Sequence, residues 1–122
     1  MKPKTIKNII VIDDEVSVCN LIKRFLERNG HSAILCTSSL EALLTTRATR
    51  PALIISDVNL PGSLDGIDLC VRIQERAGEA IPVIIVSGQT DNEERARNKG
   101  FEFVAKPLKR FSLMPLVEAC LN

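Results

Sequence analysis

Five side chains in this sequence could do chemistry together: the carboxylates of Asp13, Asp14 and Asp57, the hydroxyl of Ser87 and the ammonium of Lys106. Each closes or follows a short apolar run. Ile9-Ile10-Val11-Ile12 leads to Asp13-Asp14, Leu53-Ile54-Ile55-Ser56 to Asp57, Val83-Ile84-Ile85-Val86 to Ser87, and the stretch from Phe101 to Ala105 to Lys106. Taken singly, each has an ordinary reading. Acids after a strand complement a helix dipole, a serine there is a turn or cap residue, and a lone lysine is a solvated charge. Taken together they describe one crevice with three carboxylates, which repel each other and require a cation. A hard divalent ion such as Mg²⁺ suits oxygen ligands and keeps positions open for water and phosphate. Such an ion and a lysine would neutralise a transferring phosphoryl group, and a carboxylate can be the nucleophile that accepts it. The residue types therefore point to metal-assisted phosphoryl transfer to an aspartate.

The elements that must position these groups alternate strand and helix five times. That pattern implies a parallel sheet with helices on both faces and right-handed crossovers. In such a sheet the carboxyl ends of the strands share one edge, where open α/β sheets place their chemistry. The stretch Leu53 to Asp57 is short and apolar up to its carboxylate, as expected of a strand buried on both faces. Ser32 to Thr37 is less apolar and is expected at the sheet edge. The first helix carries Val18, Leu21, Ile22, Phe25 and Leu26 at helical spacing and stops at Asn29-Gly30. Ser38 or Ser39 caps a second helix with Leu40, Leu43 and Leu44 as its buried stripe. Gly66 opens a third helix, with Ile67, Leu69, Cys70 and Ile73 apolar. Asp91 to Lys99 reads as a short, charged helix with little apolar anchoring, expected to be marginal and mobile. The last helix runs from about Ser112, with Pro115 tolerated in its first turn.

Length and composition bound the function. A chain of 122 residues fits a single domain, 1–122, large enough to bury a core without staples. A net charge of +1, with no Trp or Tyr, gives neither the basic footprint nor the stacking platforms of direct nucleic-acid binding. The apolar run after Met1-Lys2-Pro3-Lys4 is too short for a signal core or a membrane span, so a cytoplasmic location is expected. The cysteines Cys19, Cys36, Cys70 and Cys120 form no C-x-x-C pair and read as free thiols. His31 is the only histidine and is isolated, which argues against zinc and against a phosphohistidine role.

The ordered set Asp13-Asp14, Asp57, Leu60-Pro61-Gly62 with Asp65-Gly66, Ser87-Gly88 and Lys106-Pro107 resembles the receiver domain of two-component response regulators, similar to the chemotaxis response regulator, over essentially the whole length. The resemblance implies a flavodoxin-like (βα)5 fold with strand order 2-1-3-4-5 and a signalling switch rather than a turnover enzyme. It implies Asp57 as phosphoacceptor, with Asp13, Asp14, Asp57 and the Asn59 main-chain carbonyl as Mg²⁺ ligands. Ser87 and Lys106 would bind phosphoryl oxygens, and Lys106-Pro107 would be cis. Phe103 stands where the family often has Tyr, so an inward-turning ring is kept while its hydrogen bond is excluded. Asn59 and Gln89, each two residues past a site residue, would tune dephosphorylation. The loop from Pro61 to Gly66 is one residue longer than its commonest form. The implied phosphodonor is a sensor histidine kinase or a histidine phosphotransfer protein. It would dock on the first helix near Val16, Cys19 and Asn20 and on the loop after Lys106. The output surface would be helix 4, strand 5 and helix 5, which could also support a homodimer.

Three other readings compete. A haloacid-dehalogenase-type phosphatase needs Asp-x-Asp after the first strand, and Asp13-Asp14-Glu15 supplies Asp-x-Glu. A flavodoxin-type flavin binder needs a phosphate loop there, which three acids would repel. A degenerate receiver that only binds protein would lack a site residue, and none is missing. The domain could equally belong to a larger hybrid kinase or regulator.

Overall fold

The β-branched runs form the sheet. The computed structural model describes residues 7–122. Five strands, β1 (Asn8–Ile12), β2 (Ser32–Cys36), β3 (Leu53–Asp57), β4 (Val83–Ser87) and β5 (Glu102–Ala105), alternate with five helices. These are α1 (Val16–Arg28), α2 (Ser39–Ala48), α3 (Gly66–Ala77), α4 (Asn92–Asn98) and α5 (Arg110–Leu121). All strand pairs are parallel, in the order β2-β1-β3-β4-β5. This is the flavodoxin-like arrangement expected from the alternation and the resemblance. The charged residues before Lys7 lie outside the described residues.

Side chains alternate across the sheet and build two cores. Ile10, Ile12, Ile54, Ile85 and Phe103 face α2, α3 and α4, together with Ala42, Leu69, Ile73 and Ala96. Ile9, Val11, Ile55, Ile84, Val86 and Val104 face α1 and α5, together with Ile22, Leu26, Leu113 and Val117. β3 and β4 are buried at every position, while β2 is half-buried over four of its five residues, as an edge strand should be.

Local chemistry sets the helix ends. Ser38 caps α2, accepting from the Glu41 backbone N–H at 3.1 Å, and the Glu41 carboxylate accepts from the Thr37 N–H at 2.9 Å. Asp65 caps α3 by accepting from the Asp68 N–H at 3.0 Å. Gly78 ends α3 at φ +68°, a left-handed conformation that favours glycine, and its N–H returns to the Gln74 carbonyl.

Several expectations are corrected. Leu40 and Leu44 are not buried; they are 67% and 55% exposed, and Ala42 with the partly buried Leu43 anchors α2 instead. Four apolar residues in the run Leu40-Ala42-Leu43-Leu44 allow two different stripes, and the smaller one packs. α5 begins at Arg110, so Pro115 is its sixth residue rather than a first-turn residue. The missing Pro115 N–H leaves the carbonyl of Phe111, a residue 75% exposed, without its intrahelical donor. Cys19 is 1% exposed, with its thiol donating to the Asp13 carbonyl, and so cannot take part in docking; Val16 and Asn20 are exposed. The four cysteines are free, and burial pushes Cys19 up to about 11 and Cys70 up to about 12, so both are inert thiols at neutral pH.

α4 has one buried apolar residue, Ala96, as its composition implies. Ion pairs do the rest. Arg95 reaches Asp65 at 2.6 Å and Asp68 at 3.1 Å across the α3 N-terminus, and Arg97 pairs with Glu93 and Glu102. Burial alone would raise the Asp65 carboxyl, but the Arg95 guanidinium and the Asp68 and Ile67 backbone N–H groups outweigh it and hold Asp65 below the usual carboxylate range. The pair's contribution is therefore complete above the unfolded carboxylate's pKa, roughly 3.9, and is lost as pH falls through the lower folded value. Arg95→Ala is expected to lower stability by about 0.5–1 kcal/mol at neutral pH, the range for a partly solvated bidentate pair. Denaturant melts should converge with wild type near pH ~2. A gap that persists there would assign the effect to packing.

Candidate functional site

The carboxyl edge of the sheet gathers the predicted groups. Asp13 follows β1 and is 1% exposed, Asp57 ends β3 at 7%, and Asp14 is exposed. Each of the three offers an oxygen within 4.8 Å of the others. Lys106, just past β5, places Nζ 3.2 Å from Asp13 Oδ2 and 3.3 Å from Asp57 Oδ2. Both acids are also tied to backbone: the Glu15 N–H donates to Asp13 Oδ1 at 2.9 Å and the Val58 N–H to Asp57 Oδ1 at 2.7 Å. The Lys106–Pro107 peptide is cis.

The electrostatics follow from burial. Asp13 is raised above an ordinary carboxyl, first by desolvation and then by the Asp57 charge, with the Glu15 N–H and Lys106 opposing. Desolvation would lower Lys106, but the charges of Asp57 and Asp13 outweigh it and raise the ammonium. Three carboxylates against one ammonium leave the cluster short of positive charge. The donor set is all oxygen and part of it is open to solvent, which fits a hard divalent cation such as Mg²⁺.

The β3–α3 loop is held tightly beneath Asp57. The Gly66 N–H donates to the Val58 carbonyl at 2.8 Å, and a Cβ at Gly66 would lie 1.6 Å from the Asp57 carbonyl oxygen. Only glycine lets α3 start this close to the strand end.

Ser87 is fully buried. Its oxygen accepts from the Gln89 N–H at 3.0 Å and from Asn92 Nδ2 at 3.3 Å. Asn59 and Gln89 are exposed at the rim; Phe103, expected to turn inward on switching, is already inward, 7% exposed, in the core beneath α4. Sequence reasoning did not single out Asn92 and Arg95. Asn92 opens α4 and holds Ser87; Arg95 holds the Asp65 cap. Their only signal was a polar and a basic residue on a helix with almost no apolar face. His31, set apart from the site, pairs with Glu118 of α5 at 2.9 Å.

A doubly wound parallel sheet with an acidic crevice and an opposed lysine at its carboxyl edge defines an open α/β protein whose site lies at the strand ends. Within it, residues 9–118 match the response regulator receiver domain, and the chain belongs to that family. It is 32% identical over 119 residues to the nitrogen assimilation regulatory protein NtrX of Azorhizobium caulinodans, covering 94% of this chain and 26% of that protein. It is 32% identical over 121 residues to the alkaline phosphatase synthesis transcriptional regulatory protein PhoP of Bacillus subtilis, covering 95% and 49%. The chain thus spans about a quarter to a half of these relatives. Among solved structures, the receiver domain of NtrX from Brucella abortus superposes with a TM-score of 0.85 at 32% identity, covering 93% of this chain and 97% of that one. As a member of this family the chain is a signalling module of two-component regulation. Among the described residues no helix is long and apolar enough to cross a membrane.

Proposed function

We propose that this chain is a phosphorylation-controlled switch in which Asp57 accepts a phosphoryl group from a phosphohistidine of a sensor kinase or phosphotransfer protein. The observation that carries this reading is the Asp57 carboxylate at the end of the central strand, 3.3 Å from Lys106 Nζ and beside Asp13 and Asp14. An Asp57 oxygen attacks phosphorus, a P–O bond forms, the P–N bond breaks, and the imidazole leaves with the electron pair. Asp13, Asp14, Asp57 and the Asn59 carbonyl would hold Mg²⁺, which when bound offsets charge on the phosphoryl oxygens. Lys106 supplies a second positive charge. Rigid β3 and the Val58 N–H keep Asp57 oriented.

The donor's docking face is read as Val16, Asn20 and the shallow apolar groove of about 210 Å³ formed by Val18, Leu21, Pro107 and Leu108 beside Lys106. The phosphoryl group adds about −1.5 to −2 charge at the sheet edge. To bond it, the Ser87 O–H would leave the Gln89 carbonyl, 3.3 Å away, and movement of Ser87 toward the phosphoryl group would loosen the β4–α4 loop and the start of α4. The α4–β5–α5 surface would then change for an output partner or a second copy, with the inward Phe103 filling space behind Ser87.

The test is incubation with a small-molecule phosphodonor and Mg²⁺, read by intact mass. One phosphoryl adduct is expected in wild type and none in Asp57→Asn, with amide signals from Ser87 to Leu108 shifting only in wild type. No adduct in either protein would remove the proposal. Exchanging Asn59 and Gln89 together for alanine should change the adduct's decay rate, because both rim side chains flank the path of attacking water; an unchanged decay would remove that role.

A further inference from the structure

α2 carries two large apolar residues on its outer side as well as its buried anchor. Ala42 is fully buried, yet Leu40 and Leu44, one turn apart, stand 67% and 55% exposed. One turn further, Arg47 and Ala48 are exposed on the same line. Neighbouring exposed apolar side chains rimmed by polar ones mark interaction surfaces, and Glu41 and Arg47 rim these two leucines.

The foot of this stripe opens into a cavity of about 330 Å³ between α2 and α3, lined by Arg47, Arg50 and Arg76 over an apolar floor that includes Ile73 and Ile81. It lies at the amino-terminal edge of the sheet, opposite Asp57, because Arg50 precedes β3 and Ile81 precedes β4. One carboxylate answers these three guanidinium groups: Glu79, 3.0 Å from Arg50. Among the described residues, Arg47 and Arg76 have no carboxylate within ion-pair distance. Placement in the last turns of α2 and α3 lets both complement the helix dipoles. That accounts for two charges at helix ends, but not for their convergence on one apolar-floored cavity whose Arg47 lies about one turn beyond the exposed Leu44.

We propose that the outer face of α2 and this cavity form one docking surface for an acidic amphipathic helix of a partner protein. Two apolar side chains one turn apart would cover Leu40 and Leu44. A carboxylate one turn further along would enter the cavity and pair with Arg47 and Arg76. The rise of about 1.5 Å per residue keeps the two helices in step over this distance. Charge complementarity selects the partner, since arginine's planar fork suits a carboxylate bidentately. The surface runs from the start of α2, where Ser39 donates to the Leu64 carbonyl of the β3–α3 loop at 3.4 Å, to the cavity at the opposite edge of the sheet.

The test is an amide-resolved titration of the full chain with two synthetic helical peptides that present the leucine–leucine–glutamate pattern in either chain direction, plus control peptides with lysine for glutamate. One glutamate peptide should shift signals from residues 39–50 and around Arg76. Its affinity should fall roughly tenfold or more in Arg47→Glu combined with Arg76→Glu, and in Leu44→Ser. Unchanged melting of these surface variants shows that they are folded. Any of four results with the peptides would overturn the proposal. They are no shifts with either glutamate peptide, equal binding of the lysine controls, shifts on α1 or the α4–β5–α5 face instead, or displacement of the peptide by inorganic phosphate, which would make the cavity a small-anion site. Shifts at Leu40 and Leu44 on concentrating the chain alone would assign the face to a second copy and overturn it as well.

Discussion

Gly66→Ala is expected to cause the largest loss of stability of any single-methyl addition at the glycines bordering the site. The added Cβ would meet the Asp57 carbonyl oxygen at 1.6 Å, its carbonyl carbon at 2.7 Å and Ser56 Oγ at 2.8 Å. Two of these three atoms are backbone of the central buried strand, which cannot rotate aside as a side chain would. Ordinary overpacking costs about 1–3 kcal/mol; a clash against fixed backbone belongs at or above the top of that range. Relief requires moving the α3 N-terminus, which breaks the Gly66 N–H bond to Val58 and displaces the Asp65 cap held by Arg95. A fall in Tm on the order of 10 °C and loss of phosphoryl uptake should appear together. Gly88→Ala is the control, because its Cβ would meet nothing within 4 Å and its backbone is not left-handed. Equal, small effects of the two substitutions would show that the junction yields easily.

Lys106→Met is expected to have the next largest effect, and to have it through charge. The lysine side chain is 21% exposed, while those of Asp13 and Asp57 are 2% and 8% exposed. Stripping one partner from a fully buried pair costs about 3–5 kcal/mol; the partial exposure of Lys106 reduces this to roughly 1–3 kcal/mol. In wild type the raised folded pKa of Lys106 means its contribution is complete at neutral pH and is lost only as pH rises through that value. In the variant, Asp13 loses one of the groups that oppose its upward shift, so its folded pKa climbs further above the unfolded one. A raised carboxyl destabilises fully above its folded pKa and not at all below its unfolded pKa. The gap between Lys106→Met and wild type should therefore be widest at neutral pH and close below about pH 4. Mg²⁺ should restore part of the lost stability by binding the folded acids. A gap of equal size at pH ~3 and pH ~8 would show that packing, not charge, explains it.

Much of this molecule could be read before its structure. The strands were legible because runs such as Ile9 to Ile12 and Val83 to Val86 are too short and too β-branched to be helices. The strand ends were legible as one cluster because Asp13, Asp57, Ser87 and Lys106 all occur at one phase of a repeating pattern, which only a parallel sheet converts into proximity. What escaped was whatever depends on which of two faces wins. The leucines of α2 offered two stripes, and packing against β1 and α3 chose the one containing Ala42. Cys19 lay one residue from exposed Asn20, and only the helix phase decides that one is core and the other surface. Pro115 was placed too early because Arg110 and Phe111 do not look like a helix start. The Arg95–Asp65 and Asn92–Ser87 contacts link residues 30 and 5 positions apart through side chains alone, and no periodicity encodes such pairings.

Those last two contacts have a mechanical consequence. They join the same short helix to the carboxyl edge of the sheet at two points about one turn apart, Asn92 through a neutral hydrogen bond and Arg95 through charge. On the proposed function, movement of Ser87 toward a phosphoryl group would loosen the first tether and leave the second in place. α4 would then pivot rather than slide, with its fulcrum at Arg95 and its widest swing at the end nearest Gln89.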